Sequence, residues 1–338
     1  MISTLQNKIG FKVRCIVLVA FFPSLFVGQK VYAQDPQFSQ FYSTPMLLAP
    51  SFAGGVRDSR LSLNFRDQWA SIPGKYVTYS ASYDRNFPLF NSGVGFYFMR
   101  DVAGSSKLSL TNLGFAYSYL INLSSEWHFR PGVGVYFTER SIDYTKLVFG
   151  DQLTSGSPTS TNPYPGKESI NDVDASSSLL FFNSVLWTGV TVDHLLEPNR
   201  AFTENSARTP LRISAYGGMR IVIRGLQYKP ADESVSVAFH YKQQGDFRQF
   251  DAGVYWYRKP LLAGVWYRGI PLIKSYPGSD AIVFMVGYRM DGLQIGYSYD
   301  ATVSKLGFQT GGTHELSVIY EFSITAKKKW AAIPCPEF

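Results

Sequence analysis

The chain has 338 residues, of which 17% are charged and 16% aromatic, with 22 Tyr and 26 Phe. Its formal charge of +7 overstates its basicity: residues 1–33 hold four of the 32 basic and none of the 25 acidic residues, so the rest carries 28 against 25, a net of +3. That balance gives no electrostatic case for a nucleic-acid partner, and with only Cys15 and Cys335 present there is neither a disulfide framework nor a cysteine metal site.

The first 33 residues read as a secretory leader. Lys8, Lys12 and Arg14 precede the apolar run Cys15–Gly28, and Val31 and Ala33 supply small residues at −3 and −1 of a cleavage site after Ala33. An uncleaved anchor is the alternative, but the run is short against the roughly 20 residues a spanning helix needs, and Pro23 interrupts it. Beyond residue 33 no stretch reaches the length of a membrane helix. A mature chain embedded in a membrane must therefore cross it with closed strands, the other way to satisfy the backbone in lipid.

From about residue 59 to 325 the side chains alternate with period two. Leu113, Phe115, Tyr117 and Tyr119 oppose Asn112, Gly114, Ala116 and Ser118. Trp127, Phe129, Val133 and Val135 oppose His128, Arg130, Gly132 and Gly134, and the pattern recurs in 211–223, 235–242, 293–300 and 315–322. Thirteen segments are expected as strands: 59–69, 75–87, 92–102, 107–123, 126–140, 175–195, 210–223, 234–245, 247–258, 260–270, 280–291, 292–302 and 312–325. Single-chain barrels prefer even numbers, so twelve to fourteen strands are expected, with fourteen if Asp143–Phe149 adds or extends one. One face is aromatic and aliphatic while the other is small, polar or charged. A soluble sheet would need a second layer to cover its apolar face, and no amphipathic helix is present to provide it. The fold class is thus all-β, a transmembrane outer-membrane barrel spanning 59–325, with a plug-like segment at 34–58 and a tail at 326–338. An even strand number puts both flanks in the periplasm and makes 149–176 an extracellular loop.

Catalytic signals are sparse. His128, His194, His240 and His314 stand in no metal-binding spacing, and there is no G-x-S-x-G elbow or Walker motif. Gly93, Gly95, Gly132 and Gly134 alternate within strands and read as small lumen-facing positions. A Ser/His/acid hydrolase site at the barrel rim stays open but is selected by nothing, so a non-enzymatic chain without cofactor is expected. Arg66, Asp84, Arg130, Arg212, Arg220, Lys242, Asp300, Glu315 and Glu321 lie on the inward face. Their mixed signs favour a cross-lumen network over a pore of one dominant charge.

The flanks carry the most specific residues. QDPQFSQFYSTPMLLAPSFAG after the leader, NFRDQWASIPGKYVTYSASYD, the region from Asp174 through Leu179–Phe182 to Trp187, and the ending IPCPEF together resemble the PorP/SprF family of Bacteroidetes outer-membrane proteins. The resemblance implies a fourteen-stranded barrel tied to the type IX secretion system and, in gliding bacteria, to surface adhesins. The implied partners are outer-membrane lipid, periplasmic secretion components, and a large surface or secreted cargo with a C-terminal sorting domain. Motif positions offered as partner-binding are Asp35, Pro36, Phe38, Ser39, Gln40, Tyr42, Arg66, Trp69, Pro334, Cys335, Pro336 and Phe338, with Pro45, Asn64 and Gln68 in the same motifs. Asp67 stands where the family commonly has Asn. Lys327–Lys329 reads either as a solvated membrane rim or as a contact for an acidic partner, and Cys335 either as a buried or free thiol or as an attachment point. A passive channel or hydrophobic-solute transporter is the competing function.

Overall fold

Period-two alternation becomes one continuous antiparallel sheet. The computed structural model describes residues 35–104, 106–161, 167–203, 206–225, 232–269, 281–303, 308–323 and 333. The expected leader, the Lys327–Lys329 run and the motif residues Pro334, Cys335, Pro336 and Phe338 lie outside the described residues. Fourteen strands follow in chain order: β1 (Ser59–Gln68), β2 (Tyr76–Phe87), β3 (Ser92–Ala103), β4 (Leu108–Tyr119), β5 (His128–Ser141), β6 (Ser169–Phe182), β7 (Leu186–Asp193), β8 (Arg212–Arg224), β9 (Glu233–Gln244), β10 (Phe247–Arg258), β11 (Leu261–Arg268), β12 (Ala281–Met290), β13 (Leu293–Thr302) and β14 (Thr313–Phe322). Strand β4 resumes for two residues, Ile121–Asn122, after a break at Leu120. Each strand pairs with the next. Strand β1 pairs with β14 from Ser59↔Phe322 to Gln68↔Thr313, which closes the barrel and leaves no free sheet edge.

The faces are inverted relative to a soluble protein. On β1, Leu61, Leu63 and Phe65 are exposed outside while Ser62, Asn64 and Arg66 are buried inside. Strand β4 repeats this with Leu113 and Phe115 outside and Ala116 and Ser118 inside. An apolar outer wall around a polar interior suits lipid outside and needs no covering layer. Among the described residues no helix is long and apolar enough to cross a membrane.

Two expectations about strands are corrected. The single strand expected over 175–195 is two, β6 and β7, joined at Asn183–Val185. There Asn183 Oδ1 accepts from Val185 N and Leu186 N, both at 2.7 Å. The turn escapes the alternation because here the inward positions are apolar as well: Leu180, Phe182 and Trp187 are fully buried inside the barrel, so the hydrophobic run passes through the turn unbroken. Asp143–Phe149, in turn, adds no strand. It forms a 3-10 turn at Tyr144–Lys146, where the Asp143 carboxylate accepts from Thr145 N, before the short helix Gly150–Ser155.

Connections at the end where β1 begins are short: two residues between Met290 and Leu293, three between Phe182 and Leu186, four between Phe87 and Ser92. The 27-residue connection 142–168 and the 18-residue connection 194–211 both emerge at the opposite end, where the Gln244–Phe247 turn and the four-residue connection between Ala103 and Leu108 are also short. These are called the short-turn end and the long-loop end below.

Residues 37–54 lie inside the barrel and run its length. Ser39 sits beside Arg66 and Asp300, near the long-loop end of their strands, whereas Gly54 sits beside Arg85 and Gly93, near the short-turn end. The chain therefore descends through the lumen before it turns into β1. On the way it forms one helical turn, α1 (Pro45–Leu48), and a 3-10 turn at Pro50–Phe52. Pro45 opens α1 with its φ preset for a helix. Pro50 ends it, since proline has no N–H to continue the ladder and drives Ala49 to an extended φ of −165°.

Candidate functional site

The lumen is where polar chemistry converges, because the inward positions of the wall meet the backbone of the inner segment there. Near the long-loop end, both carboxylate oxygens of Glu315 are taken up by that backbone. Ser39 N donates to Oε2 at 2.8 Å and Gln40 N to Oε1 at 2.9 Å. Arg66 bridges the two acids of the cluster, reaching Glu315 at 3.0 Å and Asp300 at 3.2 Å. Arg268 adds a second guanidinium on Asp300 at 3.0 Å and a short hydrogen bond to Ser39 Oγ, and Ser39 Oγ in turn donates to Asp300 at 2.7 Å. Arg66, Asp300 and Glu315 are all at most 2% exposed. Two guanidiniums balance two carboxylates in this cluster, which is how such charges are tolerated away from water.

Next along the segment, the Gln40 amide donates to Ser298 Oγ and to the Glu315 carbonyl, each at 3.1 Å, while its oxygen accepts from Tyr42 OH and Ser317 Oγ. Ser43 Oγ donates to Asn64 Oδ1 at 2.5 Å. The middle of the segment is apolar. Phe41 meets Trp266 edge-on at 5.0 Å, Tyr42 meets Tyr255 at 5.8 Å, and Phe52 meets Trp187 at 6.1 Å. Such edge-to-face aromatic pairs add to the burial of large apolar rings.

Toward the short-turn end the contacts become backbone to wall. Ser51 N donates to Ser178 Oγ at 2.8 Å, Gly54 N to Asp84 at 2.9 Å, and Arg130 to the Gly54 carbonyl at 3.0 Å. The wall comes so close here that side chains are excluded. A Cβ on Gly93 would overlap the Ala53 carbonyl, and one on Gly132 the Ser51 nitrogen. The alternating glycines are thus a seat for the inner segment. Ile333, from the tail, is also buried in the apolar core of the lumen, where a Cβ on Gly55 would lie 2.8 Å from its Cδ1.

The family model of type IX secretion system membrane proteins PorP/SprF matches residues 30–320. The chain belongs to this family. No curated protein matches it in sequence. Among solved structures it is similar to Omp33, an outer-membrane protein of Acinetobacter baumannii, with 9% identity, 79% of this chain and 99% of that one covered, and a TM-score of 0.42. It is likewise similar to the toluene transporter TodX of P. putida, with 11% identity, 80% and 91% coverage, and a TM-score of 0.44.

The motif residues of this PorP/SprF protein divide by place. Ser39, Gln40, Tyr42, Asn64 and Arg66 come together in the buried lumen cluster, where their polar atoms bind one another and the wall. Buried in this way, they hold the inner segment against the wall. Pro36 and Phe38 are half-buried at the long-loop mouth, and Asp35 begins the described chain. Trp69 stands at the β1–β2 connection with φ 59°, its N–H donating to Gly312 O and its ring edge-on to Tyr76 at 5.4 Å. Glu315, Asp300 and Arg268 complete the cluster without belonging to the motifs. The signal for Glu315 was in the closure itself. First and last strands of a barrel must pair, and in that register Arg66 faces Glu315 directly. His194, which the sequence placed in no metal-binding spacing, hydrogen-bonds Asp174 at 2.7 Å and the Tyr136 hydroxyl at 3.2 Å, knitting β5 and β6 to the end of β7.

Proposed function

We propose that this type IX secretion barrel is a non-enzymatic docking element, supporting secretion or cell-surface anchoring of a large adhesin-type protein with a C-terminal sorting domain. Membership of the PorP/SprF family over residues 30–320 carries the reading. The occupied lumen supports it: with residues 37–54 bound to the wall from end to end, the surfaces left for partners are the two mouths and the loops. In this reading the leader is removed after Ala33, the short-turn end meets the periplasmic secretion components, and the long loops face the cell surface. Pro36, Phe38 and Trp69 at the long-loop mouth, with Asp35 ahead of them in the chain and Pro334, Cys335, Pro336 and Phe338 in the tail, are the motif residues assigned to partners. Deleting the gene is expected to leave the outer membrane intact while one large surface protein is lost or released to the medium. An unchanged surface proteome, measured by mass spectrometry of shaved cells, refutes the proposal. The competing reading, a passive channel or hydrophobic-solute transporter, draws no support from a lumen crossed by its own chain. Steady conductance of the intact protein in planar bilayers would favour it instead.

A further inference from the structure

Beyond the last strand the chain leaves the wall, yet one residue of its tail is found inside the barrel. Strand β14 stops at Phe322 at the short-turn end, where Ser323 Oγ donates to Asp58 at 3.3 Å. Ten residues further on, Ile333 is only 5% exposed and belongs to the same apolar cluster as Phe52, Leu180, Phe182 and Trp187. Ten residues reach up to about 35 Å when extended. That is enough for the chain to leave the rim beside β1 and come back through the short-turn mouth.

Ile333 meets the inner segment where that segment turns out towards β1. A Cβ on Gly55 would lie 2.8 Å from Ile333 Cδ1 and 3.0 Å from the Phe52 carbonyl oxygen. Gly54 is glycine for the sake of its own backbone, with φ at 61°. Gly55 has no positive φ, so conformation does not call for glycine there; the space it leaves open is what the end of Ile333 fills. The turn is otherwise held by Ala53 N donating to Pro50 O at 3.0 Å, by Gly55 N donating to Phe52 O at 2.9 Å, and by Arg130 on the Gly54 carbonyl. The seat is thus apolar and closed to water, and it lies against the last turn of the inner segment.

We propose that the short-turn mouth is a docking site whose occupant is the chain's own C-terminal tail, with Ile333 as the anchor that locks the turn at residues 50–55. One apolar side chain is a weak ligand by itself. Its tether makes the contact intramolecular, at an effective concentration on the order of mM, so the seat can be held and still be given up. A protein that takes hold of the tail beside Ile333 has to withdraw this side chain, and by reciprocity a turn that leaves the seat loosens the tail. The inner segment is then held differently at its two ends: by buried charge around Glu315, and at the short-turn end by a latch open to competition from outside the barrel. The latch stands apart from the secretion role proposed above, since its test involves no cargo.

The test uses the full-length protein in phosphatidylcholine nanodiscs. Hydrogen exchange is read at Ala53, Gly54 and Gly55, with Ser39 and Gln40 as the reference for the opposite end of the segment. Ile333→Ala is expected to speed exchange at the first three by about tenfold or more, as large-to-small changes of buried aliphatic side chains do. Ser39, Gln40 and the strand amides of β1 and β14 should stay unchanged. Burial of the tail is read separately, in a background of Cys15→Ser and Cys335→Ser. There the thiol of Ile333→Cys should react with a maleimide about 100-fold more slowly than that of Ser125→Cys, an exposed turn position at the same end. In denaturant the two should react alike, and circular dichroism of every variant checks that the barrel has formed. Three results overturn the proposal: a thiol at position 333 labelled as fast as the one in the turn, exchange at 53–55 untouched by Ile333→Ala, or exchange raised equally at Ser39 and Gln40.

Discussion

Glu315 is the residue on which the inner segment turns. It sits on the last strand, faces Arg66 on the first, and gives both oxygens to consecutive backbone amides of the segment. A buried, balanced cluster of this kind adds little net stability, because desolvation offsets most of the attraction. Removing one member is a different matter: Arg66 would keep its charge with one acid fewer, and two backbone N–H groups would lose their acceptor. Glu315→Ala is therefore expected to weaken the segment's hold by about 3–5 kcal/mol while the wall stays paired. Hydrogen exchange read by mass spectrometry should show it as a loss of protection by about two to four orders of magnitude at Ser39 and Gln40, with the strand amides of β1 and β14 unchanged. Equal loss in the strands would mean that Glu315 supports the closure and not the segment. Glu315→Gln separates charge from shape, since an amide can accept from only one of the two N–H groups and adds donors where Arg66 already donates.

At the level of elements, the glycines of β3 and β5 form the seat and α1 with its 3-10 turn the body that occupies it. Gly132→Val is expected to keep the strand, since valine suits a strand better than glycine does. It would push the 3-10 turn off the wall at Ser51, a cost of about 1–3 kcal/mol for overpacking. Limited proteolysis should then cut within 45–55 in the variant and not in the native protein, with the barrel surviving as a resistant fragment. The same elements show what could be read in the sequence and what could not. Strand positions and inward or outward sense followed from alternation, because a wall between lipid and a polar interior imposes it at every second residue. The β6–β7 turn was hidden where Leu180, Phe182 and Trp187 face an apolar part of the inner segment, which removes the polar half of the code. The alternating glycines were legible as small lumen positions, but not as a seat, since what makes them one is the backbone of residues 51–54 arriving from elsewhere in the chain. Likewise the motif Ser39-Gln40 looked like a partner surface, because a polar, non-alternating segment carries no mark that says its partner is the same chain.

For the whole molecule, the number of strands and the inner segment have to be considered together. Eight strands enclose a space that side chains alone can fill, while sixteen or more leave an aqueous channel. Fourteen strands fall between, so this wall by itself would leave a lumen too wide for inward Ser, Asn and Gly side chains to close. Residues 37–54 supply the missing volume, and their two modes of attachment, charged at the long-loop end and backbone-to-glycine at the short-turn end, distribute the hold along the barrel axis. The wall keeps its own closure through the β1–β14 register and does not need the segment for strand pairing. A protein lacking residues 37–54, with the leader joined ahead of residue 55, is therefore expected to insert and to open discrete conductance steps in planar bilayers, where the intact protein stays silent. Glu315→Ala should fall between them, with brief openings as the long-loop end of the segment lets go. If the truncated barrel inserts and stays silent, side chains of the wall close the lumen on their own, and the segment is a docking element alone. If the intact protein already conducts, the passage lies beside the segment, where Trp266 and Lys242 line the barrel near the long-loop end, and Trp266→Ala should widen it.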